Sequence, residues 1–395
     1  MSTGPVKTSI KWKILGGILA IEILLTVVFA VIVMKTFQRN LQLSSTRTVA
    51  NIQGMYGSIM RNDTKMLSAA LDVFLQDASF TQVYSKKDRK SLLGSVEGLY
   101  RRNRDLYGMT HFYYINNDGK CFLRVHKPEL SGDAINRVTF AQAKSTGRVS
   151  SGIELGKTAF ALRVVSPCIY RGSQIGFVEF GEEIDHFDQI VKKETGSDVF
   201  VVIQKTLFKE TDYRGTRKTA NQRDDWDDLK NYALVSETFG DREFFARKIF
   251  NEQDVRSIQT PTFLGTIARG GQILAKGAFP LHDVANKQVG IIMTLTDVTE
   301  LMNTEKMALT YLILAAIVLF LLSYWFTFRY LNAVIIDPLI KLSLRADEIS
   351  MGKVEEKLET DRTDEIGLLI RSFDRMRVSL NKFLTILSKG DSNRQ

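Results

Sequence analysis

The sequence predicts a membrane protein of the α+β class. Two transmembrane helices flank a large loop built from a long helix and two tandem antiparallel sheets, and a helical hairpin follows the second span. Three observations predict this. Two apolar runs of about 20 residues, Ile14–Met34 with the single charge Glu22 and Ala308–Phe328 with none, each match a hydrocarbon core of about 30 Å at 1.5 Å per helical residue. Between them, helical periodicity gives way to short β-branched and aromatic runs separated by turn signals. After them come two heptad-like segments joined by a glycine-containing connector. The 395 residues exceed one ordinary domain, and the 44% hydrophobic average conceals this uneven distribution. A soluble cytosolic enzyme is excluded.

Residues 1–13 form a basic tail carrying Lys7, Lys11 and Lys13. The first span, 14–34, reads as a retained anchor and not a cleaved signal: its apolar run exceeds the usual 7–15 residues of a signal core, and no small-x-small site follows before Lys35. Two spans put both termini on one side. The lysines before span one and Arg329 after span two favour the cytoplasm for that side, while Lys35 and Arg39 weigh against it. The net charge of +9 is scattered along the chain, so lipid headgroup contact and solvation account for it and nucleic-acid binding is not expected.

The loop 35–307 has room for two compact domains, a distal one over about 80–190 and a proximal one over about 195–300. Its start reads as a long helix, with Ile52, Met55, Tyr56, Ile59 and then Met66, Ala69, Ala70, Val73, Phe74 at helical spacing and no proline between Pro5 and Pro128. Strand signals follow. His111–Asn116 and Cys121–His126 flank the hairpin turn Asn117-Asp118-Gly119, and Gly152–Leu155, Ala159–Ile169 and Gln174–Phe180 are three more strands. A weaker copy follows in Asp198–Gln204, Gly265–Phe279 (interrupted at Gly270-Gly271) and Gln288–Thr296. Pro167 with Gly176, and Pro280 with Gly290, sit in matching strand–turn–strand strings whose spacings differ by one residue, an internal repeat. The charged stretch Lys209–Lys230 reads as a surface loop.

These features together resemble the PAS-like double Cache sensors of bacterial receptors. The strings FLRVHKPELSGD (122–133), GIELGKTAFALRVVSP (152–167) and IGFVEFGEEID (175–185) are similar to the third double Cache subfamily, found on chemoreceptors, cyclases and sensor kinases. The resemblance implies a periplasmic or extracellular sensor anchored in the bacterial inner membrane. The amino-acid-binding Cache signature is not apparent, so that specificity is not carried over.

Beyond span two (308–328), residues 329–383 begin with Asp337-Pro338, which is expected to break the chain because proline disfavours helical geometry in the residue before it. Leu339, Leu342, Ala346 and Ile349 recur at helical spacing; Gly352, Val354 and Leu358 form a connector; Asp364, Glu365, Ile366 and Gly367 open a second helix striped by Leu369, Phe373, Met376, Leu380 and Phe383. This pattern resembles the HAMP domain, a signal relay. One hairpin cannot bury such stripes, and a parallel four-helix coiled coil made by two chains would, which predicts a homodimer through HAMP and the spans.

The four histidines all precede span two, residues 384–395 form a short polar tail, and no Walker loop, nucleophile elbow or Cys-x-x-Cys occurs. The expectation is a receptor without enzymatic activity of its own, with no cofactor and no metal, acting on a downstream signalling protein. The alternatives are an envelope scaffold that binds another protein, or the truncated front end of a sensor kinase, cyclase or chemoreceptor. The PAS-like resemblance implies a sheet ordered 2-1-5-4-3, which puts Cys121 and Cys168 on strands about 14 Å apart, beyond the reach of a disulfide, so free buried thiols are expected. For the ligand site, Arg124 and Arg163 lie in apolar Leu-Arg-Val strings, and alternation puts Arg124 on one face with Phe122 and His126. A buried cation needs a partner: Glu154, Glu179 or a ligand carboxylate. Arg124, His126 and Arg163 are thus candidates for binding a small anionic or polar metabolite; an internal Arg–Glu pair is the structural alternative. Glu22, mid-span, is a functional flag.

Overall fold

The computed structural model describes residues 10–392 except 157–159, 208 and 220. Ala159, the expected first residue of a strand, the tail to residue 9 and the last three residues lie outside the described residues. The chain divides into two compact units, Gln38–Thr304 and a unit made of the two chain ends.

In the first unit, α1 (Ile10–Gln76, shared with the chain-end unit), α2 (Ala78–Ser85) and α3 (Arg89–Tyr107) lead into the distal sheet. Each short helix starts on an aspartate cap: Asp77 accepts from the Ser79 N–H, and Asp88 from Lys90 and Ser91. The strands β1 (His111–Ile115), β2 (Cys121–Arg124), β3 (Ser150–Leu155), β4 (Phe160–Tyr170) and β5 (Ser173–Glu183) form an antiparallel sheet ordered β2-β1-β5-β4-β3, with α4 (Val138–Thr146) preceding β3. The hairpin turn between β1 and β2 places Gly119 at φ +89°, as the Asp-Gly signal requires.

After α5 (Asp185–Thr195), the order recurs. The second sheet comprises β6 (Asp198–Gln204), β7 (Tyr232–Glu237), β8 (Thr262–Arg269), β9 (Gln272–His282) and β10 (Gln288–Asp297), ordered β7-β6-β10-β9-β8. The segment expected as a surface loop at 209–230 instead carries α6 (Glu210–Thr219): its i,i+4 pair Glu210–Arg214 supports a helix, and buried Tyr213 and Arg217 bond to Asp225 and the Leu234 carbonyl. The strand β7 went unmarked because its apolar run is only four residues long. Small helices α7 (Arg242–Phe244), passing into a π turn at Phe245–Ile249, and α8 (Glu252–Ser257) cover the outer face.

The repeated proline–glycine string has a packing cause. Both Gly176 and Gly290 stand beside ladder irregularities where a neighbouring strand comes close. A Cβ on Gly176 would strike the Ile115 carbonyl and the hydroxyl of fully buried Tyr84, which donates to that carbonyl at 2.8 Å; one on Gly290 would strike the Val202 carbonyl. The apolar core lies between α1, α2, α3 and α5 and one face of both sheets, holding Leu71, Phe74, Phe112, Tyr114, Phe180, Phe187, Val201 and Ile292. Each such side chain contributes about 1.5–3 kcal/mol on burial.

The chain-end unit contains part of α1, most of α9 (Thr299–Leu331), α10 (Asp337–Ser350) and α11 (Glu365–Ser392). Two of these helical stretches, within 12–76 and 299–350, are long and apolar enough to cross a membrane. Between them Ser323 donates to Glu22 at 2.7 Å. The expected break at Asp337-Pro338 does not occur. Helical backbone continues from α9 through a π turn, Asn332–Ile336, into α10, with proline in its first turn. Pro338 has no N–H for the Val334 carbonyl four residues back, and Arg362 Nη2 donates to that carbonyl at 2.9 Å. Arg362 also pairs with Asp364 (2.6 Å), whose Oδ1 caps α11 by accepting from the Gly367 N–H. Asp364 is thereby held down at about 2. A Cβ on Gly367 would strike the Arg362 carbonyl, so the glycine is obligatory. In the connector, Gly352 adopts φ +90°, Val354 is buried with its carbonyl accepting from Arg377, and the Leu358 N–H donates to Asp374. Glu365 is exposed and Ile366 half-buried.

Candidate ligand-binding site

The distal sheet turns its second face away from the long helix. Strand alternation sends Tyr113 and Ile115 of β1, Arg163 and Val165 of β4, Phe177 and Glu179 of β5 and Glu154 of β3 to that face, and α4 covers part of it with Phe140 and Ala143. The rest is roofed by the segment between β2 and α4. Beneath this roof lies a cavity of about 520 Å³, lined by Tyr113, Arg124, His126, Asp133, Arg137 and Leu155 among others, with Lys209 and Asp212 reaching its edge.

The predicted residues come together only in part. Arg124 and His126 line the cavity. Phe122 does not share their face: a β-bulge between Tyr114 and Ile115 adds a residue on β2, so Phe122 packs against Tyr84 on the helix side, rings 5.6 Å apart. The protein partner of Arg124 is neither Glu154 nor Glu179 but Asp133, at 2.6 Å. Asp133 was missed because it lies in the irregular roof, where no periodicity marks facing. Arg163 does pair with Glu179, at 2.8 Å, and Glu179 also accepts from Arg137 at 2.5 Å. Fully buried Glu179 thus sits between two guanidiniums, as the internal-pair alternative anticipated for Arg163. Glu154 caps α4, accepting from the Val138 N–H at 2.8 Å and the Thr139 N–H and hydroxyl. Arg137, the residue before α4, carried no sequence signal of its own.

Two guanidiniums lie over the Tyr113 ring, Arg137 at 4.7 Å and Arg124 at 5.3 Å from its centroid. The buried Nε atoms of Arg137 and Arg163 have no hydrogen-bond partner among the described residues. His126 Nδ1 accepts the Phe112 N–H at 3.2 Å, and burial pushes its pKa down to about 3, so the ring is neutral. His111, which sequence spacing did not connect with it, lies with its ring 4.8 Å away and is likewise held neutral by burial. Cys121 and Cys168 are free and buried, their thiols pushed up to about 11 and about 12 by that burial. Four cations line the cavity, Arg124, Lys127, Arg137 and Lys209, against three acids, Glu129, Asp133 and Asp212. The arrangement can bind a small polar molecule.

A model of the double sensory domain of two-component sensor kinases, the third double Cache family, matches residues 42–302. The chain belongs to that family. The HAMP domain model matches residues 330–382. Both are non-catalytic signalling modules, and with two apolar helices they make this a signal-transducing sensor of the membrane-receptor type. No curated protein matches. Similar solved structures include the periplasmic domain of Vibrio cholerae LuxQ (10% identity, 64% of this chain and 99% of that one, TM-score 0.37). The ligand-binding domain of the Campylobacter jejuni chemoreceptor Tlp3 with L-valine is another (12%, 62% and 94%, TM-score 0.28). A third is the Escherichia coli DcuS sensor domain (19%, 34% and 98%, TM-score 0.29).

Proposed function

We propose that the double Cache sensor binds a small polar metabolite with an anionic group in the distal cavity, and relays occupancy through the second span to HAMP and a downstream signalling protein. The observation that carries this reading is the pair of guanidiniums, Arg124 and Arg137, at a cavity of ligand size. A ligand carboxylate would compete with Asp133 for Arg124 in bidentate geometry. The sensor (35–307) lies outside the inner membrane, with its distal module over about 80–190 and its proximal one over about 195–300. Residues 14–34 and 308–328 span it, and HAMP (329–383) is cytoplasmic. Two chains pair through HAMP and the spans. In support, Leu369, Met376, Leu380 and Phe383 of α11 are exposed in the single chain, and a four-helix coiled coil would bury them. Pro338, Gly352, Val354, Leu358 and the Asp364–Gly367 string form the relay, switching between two packings. A ligand shifts such an equilibrium only by its differential affinity for the two states.

The test is a thermal-shift screen of the full chain in lipid nanodiscs against carboxylates, amino acids and neutral polyols. A stabilising anionic hit whose affinity falls about tenfold or more in Arg124→Ala supports the reading. Unchanged affinity with lowered stability would make Arg124 structural, and no stabilisation by any small molecule would favour a protein-binding scaffold.

A further inference from the structure

A second cluster lies on the opposite face of β5, outside the cavity. Glu182, near the end of that strand, is 0% exposed, and neither carboxylate oxygen has a hydrogen-bond partner among the described residues. From α1, Asp63 faces it with Oδ2 buried and also unpartnered. From the first turn of α5, His186 brings Nε2 to 3.3 Å from Glu182 Oε1. One ligand atom from each of the three residues lies within 4.8 Å of the other two. The cluster is backed by Gly108, the left-handed cap of α3 at φ +72°, where a Cβ would come within 3.0 Å of Glu182 Oε1. A side chain there would fill the space in front of the carboxylate.

Such a group is costly as it stands. Two carboxylates facing each other in a buried setting repel, and an unsatisfied buried acid loses its hydration without recompense. Burial and the charge of Asp63 push the Glu182 carboxyl up to about 8. A cation between them removes both costs. The donor set decides which cation: magnesium and calcium take oxygen shells, whereas imidazole with carboxylates suits zinc, nickel, copper or manganese.

We propose that Asp63, Glu182 and His186 bind a divalent transition-metal ion of the zinc class, with solvent completing its coordination. Bond lengths of about 2.0–2.2 Å require the three side chains to draw together from their present spacing. The His186 side chain, 46% exposed, provides both the movement and the route of entry. The ion would tie α1 to the end of β5 and the start of α5, the junction of the two sheets. Its occupancy would then set how firmly that helix is clamped to the distal module, independently of what the cavity binds.

The test uses untagged full chain in detergent micelles, stripped with chelator and titrated calorimetrically with zinc chloride, with magnesium chloride in parallel. Expected are one zinc per chain, a rise in melting temperature with zinc but not magnesium, and an affinity loss of at least about tenfold in His186→Gln, Asp63→Asn and Glu182→Gln, since even outer-shell partners of a metal are worth that much. His282→Gln, at an exposed histidine elsewhere, keeps wild-type affinity. If Glu182→Gln fails to fold, the exposed His186→Gln decides alone. The proposal is overturned if zinc does not bind, or if His186→Gln and Asp63→Asn bind it as the unaltered chain does.

Discussion

The two sheets of the sensor share one strand order and differ in what their outer faces carry. Where β1, β5 and β4 meet, the distal face holds Tyr113, Glu179 and Val165 in register, with Arg163 and Arg137 bonded to Glu179. At the matching crossing of β6, β10 and β9, the proximal face holds Phe200, Met293 and Ala278, and Phe245 stacks on Phe200 at 4.4 Å. At this crossing the strand order therefore needs alternation but no ions; hydrocarbon serves the same topology, and the proximal module's buried Arg217–Asp225 pair lies elsewhere. The ion network beside the distal cavity has no counterpart at this crossing of the proximal sheet. Burying such charges is costly, and their replacement by well-packed apolar groups is often neutral or favourable.

The comparison can be broken in three ways. The largest effect is expected from Glu179→Ala, which strands Arg137 and Arg163 without their shared partner and should destabilise the full chain by about 3–5 kcal/mol in denaturant unfolding. The combined Glu179→Met, Arg163→Leu, Arg137→Met chain should recover most of that loss while abolishing ligand response. A Glu179→Ala chain as stable as the original would show that Glu179 is not needed to hold the two guanidiniums.

Acid provides a second, smaller lever. The folded pKa of His126 is depressed to about 3, with Arg124, Arg163 and Lys127 adding to the cost of charging it, and His111 beside it is depressed too. Between the unfolded value of about 6.5 and about 3, the unfolded chain binds protons that the folded one refuses. The contribution of these two rings to stability therefore falls as pH drops through 6.5, by up to about 1.4 kcal/mol per pH unit for each ring. His126→Gln should flatten this slope in melts between pH 7 and 5; an unchanged slope would show that other groups set it. Smallest is Ile291→Val on the apolar proximal face, about 0.5–1.5 kcal/mol with no effect on ligand response.

Sequence patterning revealed most of the architecture because period-2 and period-3.6 signals report which side of an element is buried. The bounds of β6 and the start of β10 were legible for this reason, as was the Gly270-Gly271 turn. It failed where a single irregularity changes the phase. One bulge on β2 moved Phe122 to the other face, and a π turn absorbed the proline expected to end a helix. The site was less legible than the fold. Arg124, Arg163, Glu154 and Glu179 were visible as charges within strands, and His126, neutral, lies two residues past the end of β2, where the strand was expected to continue. Their actual partners, Asp133 and Arg137, come from an aperiodic roof whose facing depends on tertiary contacts.

The π turn at Asn332–Ile336 has a rotational meaning. Each turn closed by an i→i+5 bond holds one residue more than an α turn, and one residue corresponds to about 100° around a helix axis. Side chains of α10 are therefore offset by that angle from where an unbroken α-helix continuing α9 would aim them. Deleting a single residue between 332 and 336 would re-aim the whole Leu339–Ile349 stripe at once, a larger change of azimuth than any substitution within the stripe could produce.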